Sequence, residues 1–130
     1  MKTILFSLII LCKLTYSQDD RWIYWDYSPA GDINIYYYYD SETFEKNGNI
    51  FTVWVKMSYS NNYYDENYKK YITEEKAQWN INCLTRSSSE YNYYVYFSDG
   101  SNEFVKGSSY IYDKIAPETV AESLFKKLCK

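Results

Sequence analysis

The chain has 130 residues, a formal net charge of −3, no histidine, and 22% aromatic residues, 18 of them tyrosine. The acidic balance, with no basic cluster, excludes an electrostatic nucleic-acid binder. The missing histidine removes the usual general base near neutral pH and a common metal ligand.

Residues 1–17 have the layout of a secretory signal peptide: Lys2 at the start, an apolar run from Ile4 to Leu11, and small residues Thr15 and Ser17 before a cut after Ser17. The run is shorter than the about 20 residues a transmembrane helix needs. Lys13 is unusual so close to the cut. A lipoprotein reading of Cys12 is disfavoured, because Leu11 stands where a lipobox has a small residue, so Cys12 is expected to leave with the leader. The domain expected to remain is 18–130. Losing Lys2 and Lys13 leaves 12 basic against 17 acidic side chains, a charge of −5. That length allows one domain with a modest core, and no second apolar stretch could span a membrane.

Period-two alternation then recurs. A short aromatic strand is predicted over Trp22–Tyr27, a turn over residues 28–32, and a strand in which Ile33, Ile35, Tyr37 and Tyr39 alternate with Asn34, Tyr36 and Tyr38. Asn47-Gly48-Asn49 carries turn chemistry. From Ile50 to Ser60, Phe51, Val53, Val55, Met57 and Tyr59 share one face, and Thr52, Trp54, Lys56 and Ser58 the other. Residues 61–70 read as an exposed polar loop. Lys76–Arg86 alternates again, with Ala77, Trp79, Ile81 and Cys83 on one side. Ser87-Ser88-Ser89 reads as a break. Tyr91, Tyr93, Val95 and Phe97 alternate with Asn92, Tyr94 and Tyr96, and Asp99-Gly100 is a hairpin signal. Short strands are expected near Glu103–Lys106 and Tyr110–Tyr112.

After Pro117 the period changes to that of a helix. Val120, Leu124, Phe125 and Leu128 fall on one side, Pro117 and Glu118 suit the first turn, and Lys126 and Lys127 the last. A helix of about 13 residues is marginal alone in water and needs a sheet to dock on. Without Cys12, two cysteines remain, Cys83 and Cys129. In an oxidising compartment they are expected to pair, placing the helix over the Trp79, Ile81 and Cys83 face; two free thiols are the alternative. A metal site is disfavoured, since Cys-x-x-Cys is absent too. The expected architecture is α+β: one antiparallel sheet of about six strands, with the C-terminal helix packed on one face.

Trp22, the run Tyr37-Tyr38-Tyr39-Asp40, the segment from Asn47 through Val53-Trp54-Val55-Lys56, Ile81-Asn82-Cys83, and Ile115-Ala116-Pro117 with the closing helix to Cys129 occur in an order and spacing that resemble the surface-adhesin protein E-like domain family of bacterial exported proteins. The resemblance runs over nearly all of 18–130. It departs after Cys83: relatives carry a basic stretch there and a tryptophan shortly before Ile-Ala-Pro, whereas here Arg86 is the basic residue and Tyr110 and Tyr112 occupy the later region. The resemblance implies the fold, export and the disulfide, and adhesion to host extracellular-matrix glycoproteins as the family activity.

The residues themselves offer little chemistry. Asp65/Glu66 and Glu74/Glu75 read as solvated charge. Asp99-Gly100-Ser101-Asn102-Glu103 lacks the ligand spacing of a calcium loop. No phosphate-cradling glycine motif is present, and no cofactor or metal is expected. The aromatic load is more informative. With the Cys83 face buried, the opposite face would present Tyr36, Tyr38, Trp54, Tyr94 and Tyr96, a candidate binding face of side chains that give large contact area with few rotors. Cross-strand tyrosines also stabilise a half-exposed sheet without binding anything. The expected function is an exported, non-enzymatic, adhesin-like module that uses this face, the 61–70 segment, or both, to contact a host matrix protein or a glycan. The alternative is a periplasmic or envelope-associated accessory domain whose partner is another envelope protein.

Overall fold

The structure is a computed structural model that describes residues 21–107 and 112–130. The expected leader and most of the expected Tyr110–Tyr112 strand lie outside the described residues. The elements run β1 (Trp22–Ala30), β2 (Ile33–Asp40), β3 (Glu45–Asn47), β4 (Ile50–Asp65), β5 (Lys70–Asn82), β6 (Ser87–Phe97), β7 (Asn102–Val105), β8 (Asp113–Lys114) and α1 (Val120–Leu128).

All pairings are antiparallel, in the spatial order β1-β2-β4-β5-β6-β7. The sheet has eight strands rather than about six. Two short pieces lie off this path: β3 pairs with the start of β4, and β8 with the start of β6. Glu45-Lys46-Asn47 and Asp113-Lys114 have no hydrophobic alternation. They are strands because a long neighbour offers them a ladder, which periodicity cannot reveal.

The expected loop at 61–70 is a second difference. β4 runs on to Asp65 and β5 starts at Lys70, so this segment is the end of a long hairpin. Tyr63 pairs with Ile72 and Tyr64 with Tyr71. Asp65 accepts from the backbone N–H of Asn67 and Tyr68 in the turn at 2.8 and 3.1 Å. Ser87-Ser88-Ser89 is not a break but the start of β6; the chain reverses one step earlier, where Asn82 Oδ1 accepts from the N–H groups of Leu84 and Thr85. The Asp99-Gly100 turn joins β6 and β7, with Gly100 at φ +83°, a backbone region costly for other residues.

A bulge in β6 changes which side chains share a face. Asn92 sits at φ +48°, and the register with β5 slips between Ala77↔Tyr93 and Gln78↔Tyr91. Tyr91 therefore joins Gln78 on the outer side instead of sharing a face with Tyr93, as strict alternation implies.

The inner face is covered by the chain's own tail. Phe51, Val53, Val55, Ala77, Trp79 and Ile81 are buried beneath Ile115 and Leu124, with Val120, Phe125, Leu128 and both cysteines packed around them. The helix starts later than expected. Thr119 is the N-cap, its hydroxyl accepting from the Glu122 N–H at 3.2 Å, while Glu122 reaches back to the Glu118 N–H at 2.8 Å. This variant of a capping box leaves Pro117 and Glu118 outside the helix. Cys83 and Cys129 are bonded, with Cα atoms 5.5 Å apart. Arg86, in the β5–β6 turn, pairs with the buried Glu122 and stacks over Phe125. The tail is thus held at both ends.

Nine helical residues span roughly 14 Å, while the sixteen of β4 extend roughly 50 Å. The helix cannot cover the distal half of the hairpin. There Ile72, Val95 and Phe97 are covered by Tyr59, Tyr63, Tyr68 and Tyr93. The Tyr59 hydroxyl donates to the Glu75 carboxylate, whose pKa burial pushes up. A share of the tyrosine content therefore serves as core.

Breaking the bridge between residues 46 apart should cost about 2–5 kcal/mol, since the unfolded chain regains loop freedom. Cys129→Ser is expected to lower the unfolding free energy of the oxidised protein by that amount and its denaturation midpoint with it, and reductant to lower the parent's midpoint to match. Equal midpoints for parent and variant under oxidising conditions would show that packing alone holds the tail.

Candidate binding face

The side of the sheet opposite α1 is built row by row from the register. One row crosses six strands: Tyr24↔Tyr38, Tyr38↔Lys56, Lys56↔Lys76, Lys76↔Tyr94 and Tyr94↔Phe104. The next runs Tyr27↔Tyr36, Tyr36↔Ser58, Ser58↔Glu74 and Glu74↔Tyr96. All five aromatic residues singled out from sequence lie on this face and are half-buried. They form two groups. Trp54, Tyr94 and Tyr96 are in ring contact at 6.1 and 6.3 Å, extended by Phe104 at 4.8 Å from Tyr94. Tyr36 and Tyr38 sit across the sheet with Tyr27 and Tyr24, at 6.4 and 5.7 Å.

What joins the groups was not among the sequence candidates. Trp22 lies near the two central lysines: Lys56 Nζ is 5.0 Å and Lys76 Nζ 5.5 Å from its ring centroid. Lys56 also lies 4.8 Å from Tyr38, and Lys76 4.8 Å from Tyr96. Each lysine thus links Trp22 to one of the two groups through cation–π contacts. Lys56 shows in the sequence as part of the Trp54 alternation. Trp22 carries no local signal, because its place depends on how β1 meets β2.

That placement is set by Asp40, which is fully buried. Arg21 donates to both its carboxylate oxygens, Nε at 2.9 Å and Nη2 at 2.6 Å. Thr43 Oγ1 donates at 2.7 Å and the Glu42 N–H at 3.0 Å. Burial by itself would raise the Asp40 pKa; the hydrogen bonds from Arg21, Thr43 and Glu42, with the Arg21 charge, outweigh it and hold it at about 2. Trp22 is the cross-strand partner of Asp40, so the network that closes this carboxylate also fixes the residue leading to Trp22.

A cleft of about 250 Å3 opens here, with Arg21, Trp22, Asp40 and Thr43 at one end and Trp54, Lys76, Tyr94 and Tyr96 at the other. A larger groove, of about 630 Å3, runs between Tyr27–Pro29 and the start of α1, with Asp26, Glu118 and Glu122 in its lining. Among the described residues, no group of three or more His, Cys, Asp or Glu side chains is placed to hold a metal ion, and no helix is long and apolar enough to cross a membrane.

The Asp40 network makes an acid-sensitive contribution. Its carboxylate binds protons less readily in the folded than in the unfolded chain, so the stabilisation is complete above the ordinary value of 3.8 and is lost as pH falls towards about 2. Asp40→Asn should lower the denaturation midpoint near neutral pH and flatten the acid limb between pH 4 and 2. A parallel acid limb in the variant would assign that limb to other carboxylates.

A family profile described as "Surface-adhesin protein E" matches residues 22–130. Two solved structures are similar in fold. Crystal form II of Haemophilus influenzae protein E aligns with a TM-score of 0.57 at 18% identity, covering 72% of this chain and 79% of that one. Another structure of Haemophilus influenzae protein E aligns with a TM-score of 0.57 at 15% identity, covering 85% and 84%. No curated protein matches the chain.

Proposed function

The chain belongs to the surface-adhesin protein E family, and from that premise we propose that it is an exported, non-enzymatic binding module that contacts a host matrix protein or a glycan through the face centred on Trp22, Trp54, Tyr94 and Tyr96. Residues 1–17 serve as its cleaved leader in this reading, and residues 18–130 act outside the cytoplasm. The carrying observation is that one face of the sheet is closed by the chain's own helix and, beyond the helix's reach, by tyrosines, while the other presents joined, half-exposed aromatic rings around a cleft. Large, stiff side chains at such a site bind with little ordering cost. The distal hairpin contributes Tyr64 and Tyr71, 45% and 52% exposed and in edge contact at 5.2 Å, as a second patch on the outer side.

The test is saturable binding of the exported protein to immobilised matrix glycoproteins and glycans. Trp54→Ala and Tyr94→Ala should each weaken it about tenfold or more, as loss of a central aromatic anchor does, with circular dichroism and the bound Cys83–Cys129 peptide unchanged. Undiminished binding in both variants would move the contact surface elsewhere. Co-purification with a single envelope protein, without retention on host material, would replace the adhesin reading with that of an envelope accessory domain.

A further inference from the structure

We propose that the ligand of this face is an acidic oligosaccharide, a chain of sugar rings bearing carboxylate or sulfate, with Lys56 and Lys76 receiving the anionic group and the flanking rings stacking on its neighbours. The inference rests on the binding role of the face and names the chemistry that role requires.

The central row reads, in spatial order, Tyr24, Tyr38, Lys56, Lys76, Tyr94, Phe104. Two aromatic residues, two cations and two aromatic residues lie side by side over six strands, roughly 24 Å at the usual strand spacing. Like charges directly opposite one another on adjacent strands are destabilising. Here the two ammonium groups occupy the middle of the sheet in a protein whose overall charge is negative. Among the described residues Lys56 makes no ion pair, and its ammonium is placed against the ring faces of Tyr38 and Trp22. Ring faces attract a cation but leave its N–H donors available for oxygen acceptors. Lys76 has one carboxylate, Glu74, at 3.3 Å. The buried Asp40 offers nothing to either lysine, because Arg21, Thr43 and the Glu42 N–H already use its oxygens.

An anion bound between Lys56 and Lys76 relieves the like-charge pair and gains charge-assisted hydrogen bonds. The same molecule must present flat, weakly polar surface on both sides of the anion to meet Tyr38 on one flank and Tyr94 on the other. A sugar polymer with acidic groups does both, because its rings repeat on either side of each charge. The cleft that adjoins this pair on the Lys76 side, lined by Lys76, Trp54, Tyr94 and Tyr96 but not by Lys56, has a volume of about 250 Å3, below the ~300–1,000 Å3 of pockets that enclose drug-sized ligands. It suits one unit of an extended chain rather than an engulfed cofactor.

The experiment titrates the exported protein with three probes of matched length: a heparin-derived sulfated oligosaccharide, a sialylated oligosaccharide and a neutral chitooligosaccharide. The acidic probes should bind more tightly than the neutral one, with affinity falling as salt rises. Lys56→Gln and Lys76→Gln should each weaken the preferred acidic probe roughly tenfold, the order of one lost charge-assisted hydrogen bond. Neutral-probe binding should fall less than acidic-probe binding, since the rings that stack on it remain, and circular dichroism should show each variant folded. Whether the sulfated or the sialylated probe binds tighter identifies the acidic group. Equal affinity for all three probes, or unaltered acidic-probe binding in the folded Lys56→Gln/Lys76→Gln double variant, overturns the ligand assignment. If Trp54→Ala still abolishes matrix binding in that case, the face remains the contact surface and only its ligand class is rejected. If Trp54→Ala and Tyr94→Ala are also silent, both readings fall.

Discussion

The attachment of the C-terminal tail to one face of the sheet is the constraint from which the rest follows. A lone antiparallel sheet has two faces, and a strand sequence that alternates cleanly does not say which is buried against what. Here α1 lays Leu124 on Val53, Trp79 and their neighbours. The Cys83–Cys129 bridge fixes its end, and the Arg86–Glu122 pair fixes its first turn. With that side closed, every outward residue on β1, β2, β4, β5, β6 and β7 belongs to the surface that remains. Arg86, the basic residue that follows Cys83, pairs with Glu122 and lies over Phe125, and so helps to hold the helix.

The second constraint is that the helix is short and the sheet long. The protein closes the remainder of its inner face with tyrosines, which bring apolar area and a polar tip that can find an acceptor, as Tyr59 does with Glu75. Tyrosine abundance therefore has two unrelated causes in one chain. Tyr59, Tyr63, Tyr68 and Tyr93 complete a core; Tyr36, Tyr38, Tyr94 and Tyr96 face outward among lysines. The outward rings are half-buried, and Lys56 and Lys76 link the two groups through Trp22.

Bulges decide several assignments. The slip at Asn92 moves Tyr91 to the outer side, where its hydroxyl meets Asn80. The slip between Ile72 and Glu74 puts Ile72 and Glu75, three residues apart, on the same inner face. Each bulge allows a long strand to keep pairing while its two ends serve different surroundings: helix-covered core at one end and tyrosine-covered core at the other. Long twisted strands without such slips would carry one face pattern throughout.

By itself, the amino-acid order determined what is local or countable. Period-two alternation defined the main strands and put Tyr36, Tyr38, Trp54, Tyr94 and Tyr96 on one side, because pleating is intrinsic to each strand. Helical spacing marked the tail, and with Cys12 inside the expected leader, Cys83 and Cys129 were the expected pair. The tertiary structure alone decided what depends on a neighbour: that β3 and β8 are strands, that residues 61–70 continue a hairpin, that Tyr91 turns outward, and that Trp22 lies against both Lys56 and Lys76. Those features arise from hydrogen-bond ladders and register between segments far apart in the chain, and the free energy that sets them is absent from any single segment read alone.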